Sequence, residues 1–385
     1  MDNFLFFSQL ALILIVAPII SNVFKLPIVV AEIILGSISA WSGFIEIPNE
    51  LFKDIAKIGF FYLMFLAGLE IDIQRFLEHR DKLLKNAIIY FSALYGLSFV
   101  LFLFFDLNPV YIVAIPIVSL GMIMALINEH GKEYKWLELV LIVGVIGEIL
   151  SISAIVIYES YIHHGVTMAL YQNIVIFFFV LVAIYFSFRL LNLLFWWNPK
   201  LKKIIMPDDD AKLQSIRISV ALFIVLIAIM HSLKIDMVLG AFFAGIYIAN
   251  FFAHKKGLPH ILHNIGFGFL VPIFFIYVGT TLDLNLIFSF EIMSHAVLIL
   301  SALVIVRTIS SFLAYRKYLG TKETFLLALG DSMPLTFLIA IATIAHEGQL
   351  ISKNEYSAFI VAGMLSGIII MTVIKILMNQ IYTKK

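Results

Sequence analysis

Three charged side chains lie deep inside apolar stretches of the sequence, where a charge is costly. Glu148 lies about twelve residues from either end of the segment 136–159, and Arg307 lies about seven residues before the end of the segment 288–314. Asp331 is the third. At the centre of a membrane helix a charge costs about 2.5 to 3.5 kcal/mol even on lenient scales. Each of these residues therefore needs a functional or structural reason.

Glu148 is the strongest candidate for binding an ion or a proton. Gly144, Gly147, Glu148 and Ser151 recur at i, i+3, i+4 and i+7, which places the carboxylate on a helix face of small residues. Such a face lets a neighbouring backbone approach closely. A buried carboxylate can take up either a proton or a cation, because both neutralise it. The alternative is a structural Glu that bonds to a neighbouring helix.

Two apolar segments, 109–128 and 322–346, carry helix-breaking and polar residues at their middle. Backbone that leaves the helix at membrane depth must line protein or a water-filled cavity. The predicted interruptions are Pro116, Gly121, Gly330 and Pro334. Freed carbonyls and half-helix ends would then form an ion site, whose predicted ligands are Glu148, Asp331, Ser119 and Ser151. Simple proline kinks, and a capping role for Asp331, are the alternatives.

The remaining charges in the spans have simpler interpretations. Arg307 needs a carboxylate or the C-terminal end of a broken helix as its partner, and holding broken helices together is itself a structural role. Glu32 and Glu70 lie near the predicted cytoplasmic ends of their spans and are candidates for gating or capping. The His residues lack an organised third ligand, so neither a resident metal nor a cofactor is expected.

The composition indicates a helical protein embedded in lipid. Hydrophobic residues make up 62% of the chain, charged residues make up 13%, and the mean hydropathy is +1.04, whereas about a quarter of a soluble domain is charged. A net charge of +1 offers no basic field to nucleic acid. The sequence has no Walker or GxGxxG motif for a nucleotide and no HExxH helix. We predict that the protein binds neither nucleic acid nor nucleotide and is not an enzyme.

Stretches of about 20 apolar residues, the length that crosses a bilayer, recur thirteen times. The predicted spans are 4–24, 27–43, 52–71, 84–105, 109–128, 136–159, 171–196, 214–233, 236–252, 262–280, 288–314, 322–346 and 355–380. Lys and Arg collect in the connections on one side, which predicts an outside N-terminus and a cytoplasmic C-terminus. The expected fold class is an all-α polytopic protein of a bacterial-type inner (cell) membrane.

The two halves of the chain contain matching segments, as in an internal sequence repeat. FLAGLEID (65–72) matches IYVGTTLD (276–283), and Gly68 then pairs with Gly279 at an offset of 211 residues. The same offset takes Ser119 to Gly330. An odd number of spans separates the matching segments, so the halves are predicted to have inverted topology, a pattern typical of secondary transporters.

This repeat predicts one transmembrane domain over the whole chain. We assign residues 1–160 to a first six-helix repeat, 161–213 to a linking helix and cytoplasmic loop, and 214–385 to a second repeat. No soluble regulatory domain is expected.

Four motifs follow one another along the chain: KLPIVVAEIILGSI (25–38), IGFFYLMFLAGLEIDI (58–73), LGAFFAGIYIAN (239–250) and VPIFFIYVGTTLDL (271–284). They resemble motifs of the monovalent cation/proton antiporters of the second class, which include bacterial sodium/proton exchangers and the membrane part of glutathione-gated potassium efflux systems. The resemblance covers almost the whole chain. It implies a homodimer, an interface domain, a core domain with two crossed interrupted helices, and alternating access of the elevator type.

The resemblance also implies roles for individual residues. Glu148 falls where the family has its ion-binding Asp, and Arg307 falls where it has a buried Lys or Arg. Three features depart from the family: the acid is Glu, Gly147 replaces an Asp, Asn or Gln, and LGDSMPLTF (329–337) lacks the family's Gly-Glu stretch. These departures bear on cation selectivity and stoichiometry.

The resemblance implies exchange of a monovalent cation, with Na⁺ expected first, for protons. Because Gly147 cannot hold a second charge, we predict electroneutral exchange of one cation for one proton at Glu148, serving pH homeostasis. Li⁺ and K⁺ also fit, and a K⁺/H⁺ antiporter or K⁺ efflux protein is the alternative within transport. A non-transporting ion sensor and an intramembrane enzyme are the alternatives from other classes.

Overall fold

A computed structural model describes residues 2–45, 50–70, 82–130, 134–164, 213–233, 237–252, 255 and 257–382, with isolated positions between 167 and 198. In these residues it contains helices and no strand. The helices are α1 (Asp2–Phe24), α2 (Ile28–Trp41), α3 (Glu50–Leu69), α4 (Lys82–Phe105), α5 (Val110–Ala114), α6 (Leu120–His130), α7 (Lys135–His164), α8 (Gln214–Ser232), α9 (Met237–Phe251), α10 (Leu258–Thr281), α11 (Leu284–Ile287), α12 (Phe290–Asp331), α13 (Leu335–Glu347) and α14 (Lys353–Tyr382).

This architecture confirms the predicted all-α membrane fold. Seven of the described helices are long and apolar enough to cross a membrane, and α2, α9 and α13 are shorter apolar helices. Both α10 and α14 contain one π-helical turn, Gly266–Leu270 and Ser366–Ile370 respectively. The predicted span 171–196 lies largely outside the described residues.

The predicted boundary between the spans 288–314 and 322–346 coincides with a kink in the structure. Helix α12 runs from Phe290 to Asp331 and turns at Gly320, whose φ is 78° and ψ is 178°. Glycine adopts a positive φ without a steric penalty, so the chain changes direction there without a loop. The real break in the second predicted span comes later, between Asp331 and Leu335.

The chain divides into two compact units. The first contains Met1–Pro48, Arg75–Ile162 and Phe275–Lys385, and the second contains Asn49–Gln74 and His163–Phe274. This division follows contacts in space, and each unit contains segments from both of the repeats predicted from the sequence. The repeats remain a prediction.

Each unit contains a close crossing of two helices through a pair of glycines. In the first unit, a Cβ added to Gly36 of α2 would lie 2.1 Å from the Ile276 carbonyl oxygen, and one added to Gly279 would lie 2.1 Å from that of Ile33. In the second unit, Gly68 of α3 and Gly245 of α9 are blocked in the same way by backbone oxygens at 2.2 and 2.1 Å. No larger residue fits without moving a helix.

These two crossings use corresponding members of the predicted repeats. Gly36 and Gly245 are 209 residues apart, and Gly68 and Gly279 are 211 residues apart. The second helix of one half therefore crosses the third helix of the other half in both cases. This exchange of partners is the arrangement expected of two inverted repeats.

Candidate functional site

The first unit contains a helix interruption between α5 and α6. Helix α5 ends at Ala114, helix α6 begins at Leu120, and residues 115–119 between them are not helical. Pro116 explains the break locally, because proline lacks the backbone N–H that would continue the helical hydrogen bonding and its ring clashes with the carbonyl four residues earlier. The interruption frees backbone carbonyl and amide groups that need partners inside the protein.

Side chains from two other helices supply those partners. The Arg307 guanidinium donates from Nη1 to the carbonyl of Ile115 (2.7 Å) and from Nη2 to the carbonyl of Ile117. The backbone N–H of Val118 donates to Ser151 Oγ at 2.8 Å. A cation thus meets the carbonyl end of one half-helix, where the helix dipole is negative.

A second interruption separates α12 from α13. Helix α12 ends at Asp331, and α13 begins at Leu335 directly after Pro334. Ser332 closes the end of α12 by donating from Oγ to the carbonyl of Ala328 at 2.6 Å. The two interruptions meet, since Ser119 Oγ and Thr336 Oγ1 share a hydrogen bond of 2.6 Å.

Arg307 joins both interruptions. Its side chain is fully buried, and its Nε lies 3.6 Å from Oδ2 of Asp331, the last residue of α12. Tyr90 of α4 donates its hydroxyl to the same carboxylate oxygen. Burying a charge is tolerable only when it is paired and hydrogen-bonded. These contacts pair the two charges and give each at least one hydrogen bond, although Arg307 Nε and Asp331 Oδ1 have no hydrogen-bond partner among the described residues.

Glu148 lies on the helix that packs against the first interruption. Gly147 faces Val118, whose Cγ2 would be 2.7 Å from an added Cβ, and Gly144 faces Leu120 at 2.6 Å. Ser151 lies one turn after Glu148, which is itself only 2% exposed. The predicted face of small residues is therefore the contact surface of α7 with the break, and it places a buried carboxylate beside freed backbone.

Two of the four residues predicted as interruptions lie elsewhere. Pro116 and Pro334 lie in the breaks, whereas Gly121 is the second residue of α6 and Gly330 is the penultimate residue of α12. The half-helices restart at Leu120 and Leu335, so the local offset is 215 residues and not 211. Gly330 serves packing, because an added Cβ would lie 3.3 Å from Cζ3 of Trp136.

The candidates for gating or capping lie in different units. Glu70, at the end of α3, lies 3.2 Å from Nε2 of His263 on α10. Glu32 is buried in α2 of the first unit. Neither side chain caps a helix in the described structure.

Sequence reasoning missed two hydroxyl groups at the site, those of Tyr90 and Thr336. Tyr90 stands among apolar residues of α4, and Thr336 follows Pro334 by two residues. Only the position of Thr336 beside a predicted break offered a signal. No group of three or more residues suited to holding a metal ion occurs within the described ranges.

Three comparisons relate the chain to known proteins. It is 28% identical to a Bacillus subtilis (strain 168) protein named as a candidate Na⁺/H⁺ antiporter, YjbQ, over 94% of this chain and 61% of that protein, so the chain spans less than two thirds of that relative's length. It is 25% identical to an Na⁺/H⁺ antiporter of Enterococcus hirae, over 98% of this chain and 99% of that one.

A solved structure has the same fold. The sodium proton antiporter MjNhaP1 from Methanocaldococcus jannaschii aligns with a TM-score of 0.67 and 14% identity, covering 99% of this chain and 97% of that one. None of these matches assigns the chain to the second class of antiporters, which stays a prediction. The transmembrane sodium/hydrogen exchanger family matches residues 11–380, and the chain belongs to that family.

Proposed function

We propose that the protein exchanges Na⁺ for protons across the membrane and that Glu148 binds the two ions in competition. The observation that carries this proposal is the position of a buried carboxylate one turn from Ser151, the residue that bonds the interrupted backbone at Val118. Either Na⁺ or a proton neutralises the carboxylate, and the carboxylate crosses the membrane at low cost only when one of them is bound. The movements of the two ions are therefore coupled. The names of the relatives support the same pair of ions.

We propose a stoichiometry of one cation per proton at this carboxylate. The position before Glu148 is Gly147, which adds no second charge. Asp331 is already engaged by Arg307 and Tyr90, and this supports a role in balancing charge more than a role in binding the cation. Exchange is then electroneutral.

The movement is proposed to be of the elevator type, in a homodimer with an outside N-terminus and a cytoplasmic C-terminus in a bacterial-type inner membrane. Both interruptions, Arg307 and Glu148 belong to the first compact unit. A unit that moves as one body would carry the whole site with it.

Exchange in proteoliposomes tests the function. The purified protein is reconstituted with a pH-sensitive dye inside, and pulses of NaCl, LiCl, KCl or choline chloride are added with the membrane potential clamped or free. We expect Na⁺-driven proton efflux that is the same with and without the clamp. Efflux that responds to potential would contradict the one-to-one stoichiometry, and efflux driven best by K⁺ would reassign the cation.

Glu148→Gln tests the shared site. The substitution keeps the shape and removes the titrating group, so we expect exchange to fall to the level of empty liposomes while the melting temperature is retained. Glu138→Gln is the matched control, because Glu138 lies on the same helix and is exposed. Retained Na⁺-dependent exchange in Glu148→Gln would refute the proposal.

A further inference from the structure

Glu32 is a buried carboxylate that the proposed site does not use. It lies in α2 between Ala31 and Ile33, both of which are fully buried, and is itself only 3% exposed. Among the described residues it makes no hydrogen bond and no ion pair. An ionised carboxylate in such surroundings is costly, so its charge has to be neutralised by a bound proton or a bound cation.

The helix holds Glu32 in place. One turn further on, Gly36 is locked against the Ile276 carbonyl, and Ser37 Oγ donates to the Gly279 carbonyl at 2.9 Å. The far end of α2 is tied by Trp41 Nε1, which donates to Asn285 Oδ1 at 3.2 Å. Trp41 is nine residues away, about 13 Å of helix axis, which exceeds the reach of a Glu side chain.

The other end of α2 lies beside the half-helices of the site. A Cβ added to Gly367 of α14 would contact Pro27 Cγ at 3.5 Å, Leu335 Cδ2 at 3.6 Å and Met122 Cε at 3.8 Å. Pro27 precedes α2, and Leu335 and Met122 lie in the first turns of α13 and α6. Glu32 is five residues after Pro27. Its helix, α2, therefore starts next to the starts of both half-helices, α6 and α13.

The elements packed against α2 offer Glu32 no cationic partner in the described structure. Helix α1 has no charged residue after Asp2, the part of α10 in this unit has Tyr277, and Asp283 caps α11. Lys25 precedes α2 and is exposed, and Lys375 lies two turns beyond Gly367 on α14. Neither lysine forms an ion pair with Glu32.

We propose that Glu32 is a second carboxyl site for the exchanged ions. It holds a proton when no cation is present, and it releases that proton to water as a monovalent cation binds its carboxylate. One positive charge leaves as one arrives, so the step stays electroneutral. The inference rests on the proposed exchange function and adds a second site to it.

Cation-induced proton release from the purified protein in detergent tests the inference. NaCl is pulsed into a weakly buffered solution with a pH indicator, and choline chloride corrects for ionic strength. We expect about a twofold smaller release in Glu148→Gln and in Glu32→Gln than in the native protein, and no release in the double variant. Glu291→Gln, which alters an exposed carboxylate of the same unit, is the matched control and is expected to release as much as the native protein.

Two outcomes overturn the inference: equal release by Glu32→Gln and the native protein, or no release by folded Glu148→Gln. If Glu32→Gln does not fold, infrared difference spectra of Glu148→Gln decide the matter. Addition of Na⁺ should remove a protonated carboxyl band in that variant, and an unchanged band counts against Glu32. Proteoliposome exchange by the native protein is measured in parallel, so failure of exchange with retained release rejects the function and leaves the Glu32 site standing.

Discussion

The two helix interruptions meet at one hydrogen bond, yet they are stabilised in opposite ways. The first, at residues 115–119, contributes no charge of its own and depends on Arg307 and Ser151 from other helices. The second carries its own carboxylate, Asp331, at the end of α12, where a negative charge opposes the helix dipole. The Arg307 guanidinium therefore stabilises both interruptions.

This comparison separates two roles of buried charges: stabilising the interrupted helices and binding the transported ion. Arg307 binds the backbone of the first interruption and pairs with Asp331 of the second, so its charge stabilises both interruptions. Asp331 offsets that charge within the membrane. The two charges of this pair cancel, and Glu148 lies on α7, the helix whose Ser151 bonds the first break.

Replacing Arg307 should have the largest effect, because it breaks both interruptions at once. Arg307→Met keeps much of the side-chain volume but leaves the buried Asp331 without its cation, and we expect a loss of about 3 to 5 kcal/mol in the free energy of unfolding. The melting temperature of the purified protein measures it. Adding Asp331→Asn should recover part of the loss. An unchanged melting temperature with lost exchange would show that Arg307 acts in the ion cycle and not in holding the helices.

Replacing Asp331 should have a smaller effect, because Arg307 keeps its hydrogen bonds to the first interruption. Asp331→Asn replaces the carboxylate beside Arg307 and Tyr90 with a neutral amide, and we expect a loss of about 1.5 to 3 kcal/mol, the size of a hydrogen bond to a charged group. The charge of Arg307 is then no longer offset, so the Na⁺ concentration for half-maximal exchange should rise. Tyr90→Phe is the control, since it removes the hydrogen bond and keeps the charge. If Na⁺ affinity falls equally in both variants, the charge is not the cause.

Replacing Ser151 should disturb only the first interruption, and by the least. Ser151→Ala leaves the Val118 N–H without its acceptor, and we expect a loss of about 0.6 to 1.7 kcal/mol, the range measured for hydrogen bonds between membrane helices. Ser98→Ala is the matched control, because Ser98 Oγ donates to a carbonyl of its own helix. Thermal unfolding compares them, and a greater loss in Ser98→Ala would contradict the assignment.

Local chemistry explains what could be predicted about these breaks. Pro116 and Pro334 disrupt a helix wherever they occur, so their effect is readable from the sequence. Gly121 and Gly330 are not at the breaks, because a glycine inside a helix is as compatible with close packing as with a break. The offset is 211 residues between Gly68 and Gly279, 209 between Gly36 and Gly245, and 215 between the starts of the half-helices at Leu120 and Leu335. Insertions of a few residues are absorbed where no helix has to be maintained.

Hydropathy along the chain is enough to predict the membrane class, the helical fold and the burial of Glu148, Arg307 and Asp331, because a span in lipid must be apolar and must satisfy its backbone hydrogen bonds within the helix. The groups that these charges contact depend on the tertiary structure. Arg307 pairs with Asp331 and with the carbonyls of Ile115 and Ile117, which are far away in the chain. Such partners depend on how helices cross, and no local pattern of residues specifies a crossing.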